Sequence, residues 1–425
     1  MLAPNQAQRS AIAYADGPLL VIAGAGTGKT AVLTQRAAHL VTLGLAKCEE
    51  ILCLTFTEKA ATEMEERLDE LLPYGYTNLQ VHTFHGFAEK ILTEFGAEIG
   101  LSRDLRILTP TEASILFTKH WADLNFHYCR TLGSPQTQVP SFLTHFSRAA
   151  DEGLTPQIYE QNLKNNPLHK ETLERAQNGF ALSEFSEEQQ EHLKYLDLSR
   201  AYCEYERLLH RQGTLDFGFL LLELKRLLSE RPKIKRLINE RFRYALFDEF
   251  QDTNSIQYDL MRLVINEKRN VTVVGDDDQA IYRFRGASAN NLLRFVEDFP
   301  DAKIIALTEN FRSRQEILDA AYNFIQLNNP HRLEARLIKP GNSEILSKHL
   351  TAFNGSGGQV RARFFQNGGV EADETVKTIL TLKLADPTAS WNDFAILLRI
   401  NSAAAPFIFA LEREGVPYRF YALEG

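Results

Sequence analysis

The chain has 425 residues, of which 44% are hydrophobic, which is enough for two or three domains with apolar cores. Its formal net charge of −8 excludes a protein coated in positive charge, although a local basic groove would still allow nucleic-acid binding. Cys48, Cys53, Cys129 and Cys203 show no CxxC spacing, and no apolar run approaches the ~18 residues of a membrane span. We therefore expect free thiols in a reducing compartment and no membrane association, in a protein that is cytoplasmic in a bacterium or nuclear in a eukaryote.

Apolar strands that alternate with helical patterns predict an α/β fold. PLLVIAGAGTGKT is an apolar strand followed by a glycine-rich turn, and ILCLTFTEKAATEMEERL repeats the scheme with a charged helix. YALFDEFQDTN and NVTVVGDDDQ are two further apolar runs, each ending in acids. Such strands indicate a parallel sheet covered on both faces, whose ligands bind at the carboxyl ends of the strands.

The pattern changes along the chain and predicts a division into domains. Long helical patterns with few strand signals dominate residues 108–240, which we interpret as a helical insertion between residues 1–107 and 241–312 of one sheet domain. Residues 313–425 begin with a helix, QEILDAAYNFIQLN, and continue with strand-like segments at GQVRARFF and DFAILLRI. The glycine- and serine-rich NGSGGQ predicts a turn between strands.

The segment AGAGTGKT at positions 23–30 matches a phosphate-binding loop, because it follows an apolar strand and opens a helix. Its glycines let backbone N–H groups surround phosphate oxygens at the positive end of the helix. Lys29 is then expected to reach the β- and γ-phosphates, and the Thr30 hydroxyl to ligate Mg²⁺. The alternative is a glycine-rich turn that binds no nucleotide. The predicted nucleotide-binding residues are Ala23, Gly24, Ala25, Gly26, Thr27, Gly28, Lys29 and Thr30, with Ala23 where the general pattern has glycine.

The segment ALFDEFQD supplies the acids that metal-assisted phosphoryl chemistry needs. Asp248 follows an apolar run and would share Mg²⁺ with Thr30, since this ion prefers hard oxygen ligands. Glu249 would orient or deprotonate the attacking water, a task for a carboxylate close to the metal but not bound to it. Asp252 and Thr253 are also candidates for capping the helix that follows.

Nine sequence blocks occur in an order that resembles the UvrD/Rep family of superfamily 1 DNA helicases. They run from residue 5 to about 420: NQAQRSAI, AGAGTGKT, LTFTEKAATEM, VHTFHGFA, LDFGFLLL, DEFQDTN, GDDDQAIYRFRGA, LTENFRS and DFAILLRINSAA. The resemblance implies two RecA-like P-loop NTPase domains, each with a helical insertion. It also implies ATP and Mg²⁺ as cofactors, and 3′-to-5′ translocation on single-stranded DNA with unwinding at single-strand/duplex junctions. A monomer is expected, and no protein partner is indicated.

The same resemblance assigns further residues at the nucleotide. Gln8 would read adenine, and Phe311 would stack on it where the family more often has tyrosine. Gln279 would sense the γ-phosphate, and Arg312 would meet the charge that develops during phosphoryl transfer, unless it is only a surface arginine at a helix start. The implied catalytic set is Lys29, Asp248, Glu249, Gln279 and Arg312.

For DNA, the resemblance implies aromatic stacking on unpaired bases and polar contacts to the backbone. A buried aromatic cluster is the alternative for Tyr282, and a core histidine the alternative for His85. Glu58 replaces the family's usual asparagine and places a carboxylate near a phosphate backbone, and Ala31 replaces an arginine that often follows GKT. Asp276, Asp277 and Asp278 either cap a turn or surround the metal's water shell. The predicted DNA contacts are Phe56, Thr83, His85, Tyr282, Phe284, Arg285, Arg399 and Asn401.

Family members continue beyond the segment that resembles VPYRFYALEG and carry a TxHxxKGLE-like block and a late arginine, and neither pattern occurs in these 425 residues. We therefore expect a partial second motor domain, slow ATP hydrolysis, weak binding of single-stranded DNA and no processive unwinding by this chain alone. Three other interpretations stay open: the motor part of a repair or recombination helicase–nuclease, a scaffold that does not hydrolyse ATP, and an RNA substrate.

Overall fold

The computed structural model describes residues 3–72, 78–124, 126, 135–178, 180–281, 291–337 and 347–421. The chain divides into two units, Met1–Gly358 and Gln359–Gly425. None of the helices within the described ranges combines the length and apolar character that a membrane crossing requires. Cys48, Cys53 and Cys203 are not joined in disulfides. The predicted boundary at 312/313 stays a prediction.

A six-stranded parallel sheet forms the centre of the first unit, as the apolar runs predict. Its strand order is β3-β2-β6-β7-β1-β8, so β6 and β7 lie between the first two strands of the sequence. All five residues of each of β1, β2 and β7 are buried, as expected for strands covered on both faces. The strands are β1 Leu19–Ala23, β2 Ile51–Thr55, β3 Gln80–Thr83, β6 Tyr244–Phe247, β7 Val271–Gly275 and β8 Lys303–Leu307.

Alternate side chains of each strand enter two separate cores, because successive residues of a strand point to opposite faces. Leu20 and Leu52 face a large core shared with the helices from α4 onward. Leu19 and Cys53 face a smaller core made with the first three helices. The helices that cover these faces are α1 Gln6–Ile12, α2 Lys29–Thr42, α3 Glu58–Leu71, α4 Phe84–Phe95, α12 Ser255–Val264 and α13 Asn291–Asp298.

The predicted insertion at 108–240 is helical in the described residues. Its core is aromatic: the rings of Phe117, Phe146 and Tyr205 lie within 5.7 Å of one another by centroid distance. One short strand just before it, β4 Arg106–Ile107, pairs with a short strand inside it, β5 Thr214–Leu215. Its helices are α5 Pro110–Lys119, α6 Pro135–Asp151, α7 Pro156–Lys164, α8 His169–Gln177, α9 Glu187–Arg211, α10 Phe217–Glu230 and α11 Pro232–Arg241.

The remainder of the first unit returns to the sheet's carboxyl edge. The helix predicted after residue 313 is present as α14 Gln315–Ile325, and α15 Leu333–Arg336 follows it. A short parallel pair joins β9 Glu309–Asn310 to β10 Thr351–Ala352. This pairing brings the segment after residue 347 beside the residues that follow β8.

The second unit contains two helices, α16 Gly368–Ala385 and α17 Ala405–Arg413, which pack around Val376 and Ala410. The strand predictions for residues 358–365 and 393–400 are wrong, since neither segment pairs as a strand within the described residues. A strand exists only where a neighbour accepts its backbone hydrogen bonds. Neither segment has such a neighbouring strand in the described ranges, and their apolar residues Phe364 and Leu397 are 97% and 92% exposed.

Candidate nucleotide-binding site

The predicted catalytic residues of the first unit gather at the carboxyl edge of the sheet. Ala23 ends β1, Asp248 directly follows β6, and Gln279 lies in a 3₁₀ turn after β7. Because these three strands are neighbours, residues more than 200 positions apart come into contact. Thr30 Oγ1 donates a hydrogen bond of 2.8 Å to Asp248 Oδ2.

The phosphate-binding loop has the backbone conformation that its glycines allow. Gly26 and Gly28 have φ angles of 78° and 86°, in the left-handed region that side chains with a Cβ disfavour. Gly28 is the N-cap of α2, so the N-terminus of this 14-residue helix opens directly onto the loop. A Cβ on Gly26 would lie 2.7 Å from Arg312 Cβ, which excludes any larger residue there.

Three backbone carbonyl groups of the phosphate-binding loop accept hydrogen bonds from residues outside the loop. Gln8 Nε2 donates to Thr27 O at 3.0 Å, the Phe311 N–H donates to Gly26 O at 2.9 Å, and Asn310 Nδ2 donates to Ala25 O at 2.6 Å. These bonds fix the loop between α1 and the residues that follow β8. The remaining polar atom of the Gln8 side chain, Oε1, accepts from Asn5 N.

Asn310 is a site residue that the sequence reasoning missed. Its side chain is 1% exposed, and its Oδ1 accepts from the backbone N–H groups of Arg312 and Ser313 while its Nδ2 holds the loop. It therefore places the backbone of Arg312 relative to the phosphate loop. Its position directly before Phe311 and Arg312 was the available signal.

A closed ring of hydrogen bonds joins the phosphate loop to the loops after β6 and β7. Lys29 Nζ donates to Glu249 Oε2 at 2.6 Å and to Gln279 Oε1 at 3.2 Å. Gln251 Nε2 donates to the same Glu249 oxygen at 2.7 Å, and Gln251 Oε1 accepts from Asp276 N. Gln279 Nε2 closes the ring on Asp276 Oδ2 at 2.6 Å. The orientations of all these side chains are therefore linked.

The loop after β6 combines backbone strain with a perturbed carboxyl group. Glu249 has φ 46° and ψ 45°, a left-handed conformation uncommon for a residue that is not glycine. Strain of this kind concentrates at functional sites. Burial raises the pKa of Asp248 to about 6, and the neighbouring Glu249 carboxylate adds to the effect.

The donor set suits a magnesium ion. The Thr30 hydroxyl and the Asp248 carboxylate lie in contact, both are hard oxygen donors, and Asp248 is only 5% exposed. A buried carboxylate whose pKa is raised gains from a nearby cation, because the cation offsets the cost of burying its charge.

The three consecutive aspartates, whose role the sequence left open, surround a lysine. Lys348 Nζ lies 2.5 Å from an oxygen of Asp276 and 2.6 Å from oxygens of Asp277 and Asp278. The Asp276 side chain also accepts from the Asp278 N–H and caps the 3₁₀ turn Asp277–Gln279. The capping interpretation is therefore confirmed for Asp276, while the cationic partner of all three is Lys348.

The suggestion that Asp252 or Thr253 caps the next helix is wrong. The N-cap of α12 is Asn254, whose side chain accepts from the Gln257 N–H in a capping box. Thr253 Oγ1 instead donates to Phe250 O at 2.6 Å. Asp252 Oδ1 is buried with no hydrogen-bond partner within the described part of the chain, and burial raises the Asp252 pKa to about 6.

Phe311 and Arg312 flank the loop on the side of β9. The Phe311 ring lies 5.2 Å from the Phe353 ring by centroid distance, so an apolar ring surface stands beside the phosphate loop. The Arg312 side chain is exposed. Adenine stacking by Phe311 and transition-state contact by Arg312 stay predictions, as does adenine reading by Gln8.

The predicted DNA contacts in the first unit lie after β2 and β3. Thr83 ends β3 and caps α4, and its hydroxyl donates to Glu58 Oε1 at 2.6 Å. The His85 ring packs edge-on against Phe217, and burial lowers the His85 pKa to about 4. His85 is therefore neutral near pH 7. Phe56 is half-buried directly after β2.

Two groups of predicted DNA contacts lie elsewhere. Tyr282, Phe284 and Arg285 fall outside the described residues. Arg399 and Asn401 belong to the second unit, where both are exposed and Asn401 begins a 3₁₀ turn before α17. All these DNA contacts stay predictions.

A phosphate loop after the first strand of a parallel sheet, with acids after two neighbouring strands, defines a P-loop NTPase. Two family models match the chain: the UvrD/REP helicase N-terminal domain at residues 4–300 and the UvrD-like helicase C-terminal domain at residues 305–424. The chain belongs to the UvrD/REP helicase family.

Individual relatives agree with this assignment. The chain is 34% identical over 415 residues to ATP-dependent DNA helicase PcrA of Leuconostoc citreum, a match that covers 97% of this chain and 49% of that protein. It is 33% identical over 419 residues to DNA helicase II of Escherichia coli (strain K12), covering 98% and 51%. It is 37% identical over 331 residues to a probable DNA helicase II homolog of Rickettsia felis, covering 77% and 45%. The chain thus spans about half the length of the curated relatives it matches.

Proposed function

We propose that this chain is an ATP-dependent DNA helicase motor that uses ATP hydrolysis to move along single-stranded DNA. Two relatives that align along nearly its whole length are named ATP-dependent DNA helicase PcrA and DNA helicase II. The observation that supports the proposal is the contact of Lys29 with Glu249 and of Thr30 with Asp248, because an ammonium group and a hydroxyl suited to phosphate and Mg²⁺ there lie against two carboxylates. Translocation from 3′ to 5′ and stimulation by single-stranded DNA are part of the proposal.

Each group at the sheet edge has a task in hydrolysis. Thr30 and Asp248 would hold Mg²⁺, which would neutralise charge on the phosphate oxygens. Lys29 and the N–H groups at the start of α2 bind phosphate oxygens. Glu249 orients the attacking water and accepts its proton. Gln279, which accepts a hydrogen bond from Lys29, would sense the γ-phosphate, and Arg312 would stabilise charge on the phosphoryl group during transfer.

DNA would bind along residues that follow β2 and β3, with Phe56 stacking on a base and Thr83 and His85 contacting the strand. A neutral His85 donates or accepts a hydrogen bond without adding charge. Arg399 and Asn401, in the second unit, are also proposed as DNA contacts. The named relatives come from bacteria, so we propose a cytoplasmic, DNA-associated protein, with repair or replication as its setting.

The proposal is tested by ATP turnover with and without poly(dT), in the wild type and in Glu249→Gln. We expect poly(dT) to stimulate turnover, and Glu249→Gln to lower it by at least about a hundredfold, because the amide cannot accept a proton from water. Glu66→Gln is the matched control, since Glu66 is exposed on α3. Turnover that survives Glu249→Gln would contradict the assigned mechanism. Nucleotide binding without any turnover in the wild type would favour a scaffold.

A further inference from the structure

The three aspartates after β7 are bound by two cations that come from a distant segment of the chain. Lys348 contacts all three, and the Arg332 guanidinium donates two hydrogen bonds, of 2.8 and 2.7 Å, to Asp278. Lys348 is 8% exposed and Arg332 only 3%. Buried charges are retained where they are paired, so this cluster is a built arrangement rather than a chance surface contact.

Lys348 occupies the centre of the cluster. One oxygen from each aspartate lies within 4.8 Å of the others, a spacing that a divalent cation also accepts, and the ammonium group contacts all three carboxylates. The backbone around it is anchored as well, because Lys348 N donates to Glu334 Oε1 at 2.9 Å. The chain thus supplies its own cation to a site that would otherwise hold three repelling negative charges.

The titration behaviour of the cluster agrees with its geometry. Burial alone would raise the pKa of Asp278, but hydrogen bonds and charge from Arg332 and Lys348 outweigh it and lower that pKa. Burial acts to lower the pKa of Lys348, and the three aspartates outweigh it and raise that pKa. The charges of Asp278 and Lys348 therefore persist across the physiological range.

Asp276 links this cluster to the nucleotide site. Its Oδ1 contacts Lys348, and its Oδ2 accepts from Gln279 Nε2 at 2.6 Å. The other end of the Gln279 amide accepts from Lys29 Nζ. A carboxylate held on one oxygen fixes the direction of the other. Lys348 and the Asp278 N–H, which contact the same oxygen of Asp276, therefore act together on the direction in which the Gln279 amide faces.

We propose that Lys348, supported by Arg332, is a positioning residue that orients Gln279 toward the phosphates through Asp276. This inference rests on the proposed ATP hydrolysis for its functional meaning. It makes the segment after α14 a determinant of phosphate sensing, although the polar contacts of Lys348 within the described residues are with Glu334 and the three aspartates. Loss of Lys348 removes the ammonium group that contacts Asp276 and Asp277, while Arg332 still pairs with Asp278. Asp276 Oδ1 then keeps its contact with the Asp278 N–H, and its other oxygen is held less firmly toward Gln279.

The test is a double-mutant cycle between Lys348→Ala and Gln279→Ala, measured in ATP turnover and in the affinity for Mg·ATPγS. We expect Lys348→Ala to lower kcat by about tenfold or more with a smaller change in KM, and the double variant to be no worse than Gln279→Ala. Lys170→Ala, an exposed lysine on α8, is the control and should match the wild type.

Chemical rescue distinguishes a role of Lys348 in orienting Gln279 from a role in stabilising the fold. Lys348 and two of its aspartates line a cavity of about 430 Å³, and Lys348→Ala removes the atoms of a propylammonium ion. Propylammonium should restore turnover to Lys348→Ala but not to the double variant, while tetramethylammonium, which cannot donate hydrogen bonds, should not. Thermal melting without nucleotide checks that each variant is folded. If Lys348→Ala does not fold, Lys348→Met replaces it in the cycle, because it keeps the side-chain length and removes the charge.

Several results would overturn the inference. Two of them come from the cycle: additive effects of Lys348→Ala and Gln279→Ala, or no effect of Gln279→Ala on ATP turnover or on Mg·ATPγS affinity. The others are wild-type turnover by folded Lys348→Ala, or failure of propylammonium to restore its turnover. If neither lysine variant folds, the cluster serves stability alone. A wild type that binds Mg·ATPγS but does not hydrolyse ATP would refute the proposed function, and the affinity cycle would then decide the inference by itself.

Discussion

Lys29 and Glu249 form an ion pair, with Lys29 Nζ 2.6 Å from Glu249 Oε2. The lysine assigned to the phosphates therefore contacts the carboxylate assigned to the water. A bound γ-phosphate and Glu249 would compete for the same ammonium group, so part of the free energy of nucleotide binding is spent on separating this pair.

Glu249→Gln should bind Mg·ATPγS more tightly than the wild type even as it loses turnover. The neutral amide competes less well for Lys29, and the Glu249 side chain is 36% exposed, so we expect a gain of about three- to tenfold in affinity. Titration calorimetry with Mg·ATPγS measures it, with Glu66→Gln as the control. Weaker binding would show that Glu249 helps to hold the nucleotide.

Gly26→Ala should weaken nucleotide binding for a steric reason. Its Cβ would lie 2.7 Å from Arg312 Cβ and 2.8 Å from Asn310 Nδ2. Gly44 is the matched control, since it also has a positive φ angle but nothing within 4 Å of the added atom. Both variants should lose roughly 1–2 kcal/mol to left-handed backbone strain. Only Gly26→Ala should lower Mg·ATPγS affinity by about tenfold or more. Equal effects on binding would contradict the steric argument.

Glu58→Gln should strengthen binding of single-stranded DNA. Glu58 accepts a hydrogen bond from Thr83 and places a negative charge beside predicted DNA contacts. Removing it should raise the affinity for oligo(dT) by about two- to fivefold at low salt, with the difference shrinking as salt screens the charge. Fluorescence anisotropy over a salt series measures this affinity. Glu66→Gln, in the same helix, removes the same charge at another site and tests whether the location of the charge matters for DNA binding. Equal gains in both variants would mean that only net charge is involved.

Asp151→Asn should remove a pH-dependent loss of folding stability. Burial, with the neighbouring Glu152, raises the Asp151 pKa to about 7 against the hydrogen bond from Asn254. The folded state therefore binds this proton more tightly than the unfolded state, and its stabilising contribution is lost as pH rises through about 7. Between about pH 5 and pH 8 the wild type should lose at least about 1 kcal/mol more than Asp151→Asn in the free energy of unfolding.

Urea denaturation at the two pH values measures the difference. Asp104→Asn is the control, because Asp104 is an exposed acid in the same unit and should keep the wild-type profile. Parallel profiles for the wild type and Asp151→Asn would show that Asp151 titrates normally in the folded state.

The strands that the sequence predicted are those in the interior of the sheet. β1, β2, β6 and β7 are continuous apolar runs because both of their faces are covered. The two edge strands, β3 and β8, were not predicted as strands. In β3 polar residues alternate with a single apolar one, whereas β8 is a short apolar run after Lys303 that the sequence analysis did not single out. In the second unit, the two segments with strand-like patterns are not paired within the described residues. A strand-like pattern therefore indicates that a segment could be buried in a sheet, but does not show that it is.

At the candidate site, local motifs were predictable and long-range partners were not. Lys29, Thr30 and Asp248 stand in recognisable contexts of strand, turn and helix. Asn310 contacts a carbonyl 285 positions away, and Lys348 contacts aspartates about 70 positions away. Asn310 could have been noticed only from its position before Phe311 and Arg312, and Lys348 carries no signal until the fold brings it to the aspartates.

The order of strands in the sheet also sets the order in which the site can be built. β1 pairs with β7 and β8, and β2 pairs with β3 and β6, so the first two strands made are never neighbours. During synthesis, Lys29 leaves the ribosome more than 200 residues before Asp248 and the strands that flank β1. The nascent chain must keep an apolar strand unpaired through the whole helical insertion, and closing so long a loop is slow. The ability to hold a nucleotide is therefore acquired late, after β7 has been made.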